Sequence, residues 1–337
     1  MKLLSHLHSS DRDQLSILAS DELPIQFLPE FSEFYKEYYN EKLFIVFSSE
    51  LEAYIPFRIY KSRTFNLGQI LHAPIDSNTF KELAPKDQLI FFNAFLRFLK
   101  ENDLCERLVQ PHPYGILGAL PPNTQSCEFG TYIIDLANQT NEEIFEKFNP
   151  KYQKAINHSI KNGAVIRTGW EAFDDFHKVY SVTMQRVNLA VDSKIYFQKQ
   201  YENLGEKHIT TGVVYDEGKP IGCVFFIHTN YAAYCTHAGS DGDSKLYGAV
   251  KLLHFEMMKQ LKAKGVRRYD LVGVRLKNKN HSLDGIFRFK KGFGGELKTG
   301  YLWKKDVRPF SAKLYDLLRN VKVNKELSKD IIDQENE

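Results

Sequence analysis

The stretch TGVVYDEGKPIGCVFFIHTNYAAYCTH, from Thr211 to His237, indicates the fold class because its pattern predicts three β-strands joined by two tight turns. β-Branched and aromatic residues dominate its three apolar runs, and DEGKP and HTN separate these runs. A helix is predicted next, between about Leu246 and Lys264, because apolar residues recur there at helical spacing and Gly265 is a good helix stop. The chain then returns as a strand from Val266.

The same order of elements occurs about 165 residues earlier in the chain. Strands are predicted at 43–47, 54–60 and 67–72, a helix at 86–100, and a closing strand from Leu108. The chain therefore looks duplicated, with one β-β-β-α-β unit in each half. That order is found in acyltransferases of the GNAT kind, so we predict an α+β fold of two tandem GNAT-like domains.

The boundary between the halves is marked by a short predicted helix. Asn149 and Pro150 fit a helix N-cap followed by proline at the first helical position, and Gly163 fits the C-terminal end. We place domain 1 at 1–148 and domain 2 at 149–308. A further helix is predicted at 309–330, where leucines recur at helical spacing.

The composition is that of a globular protein rich in aromatic residues. Of 337 residues, 43% are apolar and 26% charged, which excludes disordered, collagen-like and coiled-coil chains. No apolar run reaches the roughly 18 residues of a membrane span, and the first residues do not resemble a secretory signal. We therefore expect a cytoplasmic protein without an integral membrane segment. The four cysteines lack a C-x-x-C spacing, which argues against zinc, iron–sulfur and disulfide sites.

Positive charge is concentrated in one segment, from Lys264 to Lys305. These 42 residues contain twelve Lys or Arg and three acids, a net charge of +9, whereas the rest of the chain carries −6. Clustered cations attract phosphates whatever the base sequence, so the segment is predicted to contact phosphate or nucleic acid. A solvated basic surface without a ligand is the alternative.

Two parts of the chain resemble a known family. YDLVGV from Tyr269 and GIFRFKKGFGGEL from Gly285 resemble the C-terminal signature of the FemABX aminoacyltransferases, and TYIIDL from Thr131 with KYQKAINHSIKNG from Lys151 resembles their domain junction. The resemblance covers roughly residues 130–305. It implies two GNAT-like domains, a C-terminal helix that packs back on domain 1, and transfer of an amino acid from aminoacyl-tRNA to an amine of a peptidoglycan or other cell-envelope precursor.

The chain departs from the family pattern at several positions. Gln153 and Asn157 stand in the junction helix where members usually carry arginine, and Gln110 precedes Pro111 where members often have an acidic residue. No long charged heptad stretch interrupts residues 149–308, so we expect no coiled-coil arm. The chain resembles the compact members, which act on a soluble, nucleotide-linked precursor.

The resemblance also implies where the transfer takes place. Phe289 would stack on the terminal adenosine of the tRNA, and Lys290 would stabilise the oxyanion of the tetrahedral intermediate. The attacking amine would pass its proton through the ribose hydroxyl next to the ester, so no protein base is required. The other candidate substrate-binding residues are Lys36, Arg186, Lys291, Gly294 and Gly295.

These candidates have separate predicted roles. Lys36 and Arg186 would contact the sugar-nucleotide, whereas Gly294 and Gly295 would let the backbone approach a ligand. His112 and His237 are interpreted as structural, and the pair Asp241 and Asp243 as a polar turn, so no metal site is predicted. We expect a monomer without a cofactor, with aminoacyl-tRNA and a UDP-linked or lipid-linked peptidoglycan precursor as partners.

Two other functions stay open. KLYGAV from Lys245 distantly resembles the loop with which GNAT enzymes hold coenzyme A at a helix N-terminus. An N-acyltransferase that uses acetyl-CoA or another acyl-CoA in surface polysaccharide biosynthesis is therefore the alternative. A catalytically silent binding protein with the same basic segment is the third hypothesis.

Overall fold

The computed structural model describes residues 1–242, 246–277, 281–320 and 330–336, which form an α+β fold. The strands are β1 (Lys2–Leu4), β2 (Lys42–Ser48), β3 (Ala53–Ser62), β4 (Phe65–Ile70), β5 (Ile75–Asp76), β6 (Arg107–Val109), β7 (Gln125–Asp135), β8 (Val165–Thr168), β9 (Ile209–Asp216), β10 (Lys219–His228), β11 (Ala233–Ser240), β12 (Arg268–Asp270), β13 (Val274–Arg275) and β14 (Glu296–Asp306). The helices are α1 (Arg12–Leu15), α2 (Pro29–Tyr39), α3 (Pro85–Glu101), α4 (Asn141–Glu146), α5 (Pro150–Lys161), α6 (Phe173–Arg186), α7 (Lys194–His208), α8 (Ala249–Ala263), α9 (His281–Lys291), α10 (Pro309–Asn320) and α11 (Ile331–Glu335).

Each half contains the predicted unit. It consists of β2, β3, β4, α3 and β6 in the first half, and of β9, β10, β11, α8 and β12 in the second. In both units the strand after the helix pairs in parallel with the third strand, β6 with β4 and β12 with β11. β1 and β8 add an antiparallel outer strand to β2 and β9. The duplication predicted from the sequence is therefore present in the strand pairing as well.

The two halves exchange their last strands. Across the described residues the strand order is β1-β2-β3-β4-β6-β14-β7-β12-β11-β10-β9-β8. β7 precedes the predicted boundary but lies beside β12, whereas β14 follows it and pairs with β6. β7 and β14 pair with each other in antiparallel register, from Ile133 opposite Glu296 to Gln125 opposite Lys304. Each sheet thus contains a strand from the other half, and the boundary near residue 148 stays a prediction.

Apolar stripes on the helices form the cores. Phe91, Phe92 and Phe95 of α3 are fully buried in the core of the first sheet. Leu253 and Met257 of α8 are fully buried in the core of the second. These residues recur at three- and four-residue spacings, so one face of each helix faces its sheet. A third core combines residues of α2, α6 and α7 and joins the two halves.

The junction helix α5 begins as predicted. The side chain of Asn149 accepts a hydrogen bond from the backbone N–H of Lys151 at 2.9 Å, and Pro150 is the first helical residue. Gly163, with φ of +79°, follows the C-terminal end. Ser159 Oγ donates to the carbonyl oxygen of Tyr247 at 2.8 Å, which holds α5 against the segment that leads into α8.

α10 packs on the first half of the chain. The ring of Tyr315 lies 5.4 Å from that of Phe65 on β4, centroid to centroid. Arg107 on β6 forms ion pairs with Asp316 at 2.7 Å and with Asp306 at 2.6 Å. The helix predicted at 309–330 begins at Pro309, but residues 321–329 lie outside the described part of the chain.

The described helices are short. None of them is long and apolar enough to cross a membrane. Among those between 149 and 308, the longest are α7 and α8, with 15 residues each. Within the residues that the structure describes, the second half therefore has no long coiled-coil arm.

Candidate active site

Lys290 lies in the last turn of α9, and its side chain reaches the turn that follows β12. Its Nζ donates to the carbonyl oxygen of Gly273 at 2.6 Å and also to that of Val272. Val272 has φ of +46° and Gly273 has φ of +69°, so both are left-handed, which is strained for a β-branched residue such as valine. An ammonium group has three N–H donors, and its contacts to described residues use two of them, which leaves one donor for a ligand.

Asp270 holds this strained turn in place. Its Oδ1 accepts a hydrogen bond from Thr131 Oγ1 at 2.5 Å and another from the backbone N–H of Val272 at 2.7 Å. The carboxyl group is buried, and burial raises its pKa. Thr131 belongs to β7, so a strand of the first half supports the turn that positions Lys290.

The environment of Lys290 weakens the solvation of its charge. Burial lowers the pKa of Lys290 to about 8, and the nearby acidic groups of Cys235 and Asp270 offset only part of the effect. The ammonium form still predominates at neutral pH. A cation that is poorly solvated by water stabilises a developing negative charge more strongly than a cation in bulk water.

Lys290 lines a cavity of about 220 Å³. Pro113 and Phe129 contribute from the first half, Val272 and Phe287 from the second, and Ile331 from α11. Pockets for drug-sized ligands measure roughly 300–1,000 Å³. This cavity therefore fits a group about the size of one amino acid.

Phe289 does not line the Lys290 cavity. Its ring packs with Phe293, His254 and Tyr152, at centroid distances of 5.2, 5.5 and 6.2 Å. Residues three apart on a helix lie on the same face, so Phe287 and Lys290 both line the cavity, whereas Phe289 faces α5 and α8. The stacking role of Phe289 stays a prediction, and the exposed Lys291 stays a candidate for substrate binding.

Gly294 and Gly295 line a different and larger cavity of about 1000 Å³. A Cβ on Gly294, which has φ of +69°, would lie 2.1 Å from the carbonyl oxygen of Lys147, and one on Gly295 would lie 2.8 Å from that of Ile133. Both glycines thus permit a close approach of backbone segments within the protein. Their contact with a ligand stays a prediction.

The larger cavity contains an acidic group that is bound by a lysine and a tyrosine. Glu82 forms an ion pair with Lys298 at 2.6 Å and accepts a hydrogen bond from the Tyr231 hydroxyl at 3.1 Å. Burial opposes ionisation of this carboxyl group, but Lys298 and His72 lower its pKa to about 2. Part of the positive charge in this cavity is therefore neutralised by the protein itself.

Lys36 and Arg186 line neither cavity. Lys36 lies on α2 and pairs with Glu33 at 3.0 Å, with more than half of its side chain exposed. Arg186 ends α6 and donates to the carbonyl oxygen of Ser240 at 3.0 Å. Both residues remain candidates for binding phosphates of the acceptor, at positions outside the Lys290 cavity.

A polar and aromatic group lies between the halves, and from the sequence only two of its members, His112 and His237, were considered, both as structural residues. We name it the His112 cluster, and its members are Arg58, His112, Tyr114, Asp192 and His237. The rings of His112 and Tyr114 are stacked at 4.8 Å with an interplanar angle of 5°. Burial, followed by the charges of Arg58 and His237, lowers the pKa of His112 to about 4, so its imidazole is neutral at pH 7.

Asp192 is the exposed carboxylate of the His112 cluster. Its Oδ2 accepts a hydrogen bond from the Tyr180 hydroxyl at 2.8 Å and lies 3.3 Å from His237 Nε2. The hydrogen bond with His237 lowers the pKa of Asp192 most, with a further contribution from Tyr180. The side chain is 48% exposed, and the described contacts engage Oδ2. Asp192 is therefore ionised and accessible to a cationic ligand.

Arg58 of the cluster is held by a carboxylate and by aromatic rings. Its guanidinium donates to Glu41 at 2.9 Å and to Gln69 at 2.7 Å, and it lies over the ring of Tyr60 at 4.7 Å. The charge of Arg58 is thus balanced inside the first half. Asp192, across the interface, keeps its own negative charge for a ligand.

The loop after β6 joins the His112 cluster to the Lys290 cavity. Pro113 lines the cavity, and His112 and Tyr114 on either side of it belong to the cluster. His112 stands between Pro111 and Pro113 just after a predicted strand, and this pattern could have indicated the loop. The cluster as a whole was not predictable from one signal, because its members come from four separate segments.

Tertiary contacts neutralise much of the basic segment. Its cations pair with carboxylates from other parts of the chain: Arg267 with Glu22, Arg275 with Glu335, Lys277 with Glu128, Lys298 with Glu82, and Lys304 with Asp330 and Asp333. Lys305 donates to the carbonyl oxygens of Pro122 and Asn123. The local count of +9 therefore overstates the positive potential of this surface.

Some of the residues considered for binding coenzyme A or a metal ion lie outside the described part of the chain. Lys245 and Asp243 are not described, whereas Asp241 pairs with Lys219 at 2.5 Å. A Cβ on Gly248 would lie 2.2 Å from the carbonyl oxygen of Ala155, so this glycine permits the packing of α8 against α5. Among the described residues, no group of three His, Cys, Asp or Glu side chains is arranged to hold a metal ion.

Comparisons with known proteins support both the family resemblance and the fold. A model of the FemAB family matches residues 123–215 and 213–320. The crystal structure of FemX is 13% identical, covers 94% of this chain and 100% of that chain, and has a TM-score of 0.66. A tandem GNAT protein from the clavulanic acid biosynthesis pathway is 9% identical, covers 91% and 98%, and has a TM-score of 0.51.

A further likeness concerns the fold alone. The C-terminal domain of a putative lysylphosphatidylglycerol synthetase from Agrobacterium fabrum is 11% identical, covers 92% of this chain and 96% of that chain, and has a TM-score of 0.54. No curated protein matches the sequence significantly. The predicted α+β fold of two tandem GNAT-like domains is confirmed.

Proposed function

The chain belongs to the FemAB family, and from that premise we propose that it transfers an aminoacyl group from aminoacyl-tRNA to an amine of a cell-envelope precursor. Its family and its fold support an acyltransferase. The observation that carries the finer proposal is the placement of Lys290, whose ammonium group lines a cavity of amino-acid size and has a donor left after two carbonyl contacts. A tRNA donor would place the reaction in the cytoplasm.

The donor ester occupies the Lys290 cavity in this proposal. The acceptor, which binds as an ammonium ion, first loses one proton to water; the free amine then attacks the ester carbonyl carbon, a C–N bond forms, and negative charge develops on the carbonyl oxygen. Lys290 Nζ donates to that oxygen and stabilises the tetrahedral intermediate. The bond to the ribose oxygen then breaks, and the proton of the amine reaches that oxygen through the neighbouring ribose hydroxyl.

The acceptor amine is bound at the His112 cluster. Asp192 is the ionised and exposed carboxylate there, so it would attract an ammonium group by a charge-assisted hydrogen bond. Tyr114 and the neutral His112 supply a flat, uncharged surface for the rest of the acceptor. Because Pro113 links the cluster to the Lys290 cavity, an acceptor held at Asp192 extends towards the donor ester.

A comparison of two donors tests this function. Total tRNA charged with labelled amino acids, and labelled acetyl-CoA in parallel, would be supplied with a UDP-linked peptidoglycan precursor. We expect label to move from tRNA, and we expect Lys290→Met to abolish most of the transfer while Lys86→Met, at an exposed position of α3, does not. Transfer from acetyl-CoA alone would establish the acyl-CoA-dependent alternative, and transfer from neither donor would favour a binding protein.

A further inference from the structure

The short C-terminal helix α11 is docked beside the Lys290 cavity. Ile331 lines the cavity, and the next residue, Ile332, is completely buried. The core around Ile332 consists of Ile116, Cys127, Phe129 and Leu302. α11 thus covers β7 next to the position of the reacting ester.

Two polar contacts fix the start of α11. The backbone N–H of Ile332 donates to Gln110 Oε1 at 2.9 Å. Asp330 Oδ1 accepts from the backbone N–H of Asp333 at 2.9 Å and so caps the helix. Gln110, which replaces the acidic residue found in many family members, here binds the C-terminal segment.

The carboxylates of α11 cover two cations of the basic segment. Lys304 on β14 pairs with Asp330 at 2.8 Å and with Asp333 at 2.6 Å. Arg275 on β13 pairs with Glu335 at 3.2 Å. β13 and β14 flank β7 on its two sides, so α11 has one cation on each side. Beneath it, the side chains of Lys304 and Arg275 are only 13% and 22% exposed.

We propose that Arg275 and Lys304 bind phosphates of the tRNA acceptor strand, and that the carboxylates of α11 occupy these cations until the RNA displaces them. The inference rests on the proposed function, because it concerns the same donor. Arg275 and Lys290 line one cavity, so a strand whose 3′ end reaches Lys290 passes Arg275. The carboxylates of α11 and the phosphates of RNA are both anionic oxygen ligands for arginine and lysine. The cavity has room for little more than one aminoacyl group, and Ile331 forms part of its wall. When α11 leaves, Ile331 leaves with it and the cavity becomes larger.

The ion pairs of α11 are of a kind that phosphates can replace. Asp333 is 41% exposed and Asp330 is 30% exposed, so water and salt reach the two pairs of Lys304, whereas Glu335 is 9% exposed and its pair with Arg275 is better protected. A nucleic-acid strand offers several phosphates at once and gains entropy from the counterions that it releases.

An RNA-binding measurement on the full chain tests the proposal. The probe is a synthetic RNA hairpin with an acceptor stem and a 3′ CCA end, and the variant removes the three α11 charges with isosteric changes, Asp330→Asn, Asp333→Asn and Glu335→Gln. Asparagine preserves the helix cap. The matched control removes three carboxylates that also pair with two cations, in Asp174→Asn, Glu37→Gln and Glu202→Gln around Lys194 and Lys199.

The two variants have the same net charge and different expected results. We expect the α11 variant to bind the hairpin about tenfold more tightly than the control and with a steeper log–log salt dependence, because in the control the RNA must first break the α11 ion pairs, a step that salt favours. Equal affinities and slopes for the two variants would overturn the proposal. Weaker binding by the α11 variant would overturn it too, because α11 would then support the RNA site.

Hydrogen exchange provides a second readout in the wild-type protein. The amide of Ile332 is bonded to Gln110, and we expect its exchange to accelerate when the hairpin is added, because α11 leaves its position. If the Ile332 amide exchanges at the same rate or more slowly when the hairpin is bound, α11 is not displaced. Neither measurement depends on transfer, so a protein that releases α11 to RNA and moves no aminoacyl group would refute the proposed function and leave this inference standing.

Discussion

Lys290 Nζ lies 2.6 Å from the carbonyl oxygen of Gly273, and this contact joins the end of α9 to the left-handed turn after β12. Asp270 stabilises this turn by accepting a hydrogen bond from the backbone N–H of Val272, and it also accepts one from Thr131 of the exchanged strand β7. The position of the ammonium group therefore depends on both halves of the chain.

Replacing Lys290 by methionine should reduce turnover by about 10²- to 10³-fold, the usual loss when one oxyanion donor is removed. Folding should be retained, because methionine fills a similar volume and removes a poorly solvated charge. Single-turnover transfer from pre-charged tRNA measures the chemical step directly. An unchanged rate would show that Lys290 has a structural role only.

The rate of transfer should fall as pH rises through about 8. Burial holds the pKa of Lys290 at about 8, so the ammonium form that stabilises the oxyanion is lost above that pH. In Lys290→Arg the cation persists, and the decline near pH 8 should disappear even if the rate is lower. A single-turnover pH profile of both proteins from pH 6 to about 9.5 decides this, and the same decline in both would assign it to another group.

The pKa of Lys290 also determines how this residue affects stability. Its folded value lies below the ordinary lysine value of about 10.4, so the buried ammonium is destabilising below pH 8. That destabilisation should diminish as pH rises from about 8 towards 10.4. The difference in unfolding free energy between Lys290→Met and the wild type should therefore shrink over this range, as measured by urea unfolding.

Asp192→Asn should raise the KM for the acceptor about tenfold or more and leave the KM for the donor unchanged, because a charge-assisted hydrogen bond to the amine is lost. Tyr180→Phe is the matched control. It removes the 2.8 Å hydrogen bond to Asp192 and leaves the carboxylate in place. Equal effects of the two variants on acceptor KM would show that Asp192 acts by supporting the local structure.

Gly294→Ala should destabilise the protein by at least about 2 kcal/mol more than Gly163→Ala. Both glycines have positive φ, +69° and +79°, so both substitutions incur the cost of about 1–2 kcal/mol for a left-handed alanine. Only at Gly294 would the new Cβ meet backbone, 2.1 Å from the carbonyl oxygen of Lys147, whereas nothing lies within 4 Å at Gly163. Urea unfolding gives the two values, and similar losses would mean that residue 147 can move.

The repeated unit was predictable because its elements are defined by local patterns. The helix predicted at 86–100 is observed at Pro85–Glu101, and the strands predicted at 43–47 and 54–60 are observed at Lys42–Ser48 and Ala53–Ser62. Side-chain periodicity reports which face of each element is buried. It does not report which element becomes its neighbour, so the exchange of β7 and β14 was not predicted.

The site was predictable in part. The resemblance to the FemABX family selected Lys290, and the structure adds the Val272 and Gly273 carbonyls that hold it. The helical spacing of Phe287, Phe289 and Lys290 could have indicated that Phe287 shares the face of Lys290. Asp192 and His237 were not selected together, because 45 residues separate them in the chain and only the packing of α6, α7 and β11 makes them neighbours.

Local patterns were sufficient to predict the two β-β-β-α-β units and the junction helix, and to locate the lysines and arginines between Lys264 and Lys305. What this positive charge can bind depends on the tertiary contacts of each cation. Lys304 is paired with Asp330 and Asp333, and Lys298 with Glu82, which lies more than 200 residues away in the chain. Coulomb attraction depends on distance in space, so the acids that neutralise a basic segment come from wherever the fold brings the chain within about 4 Å.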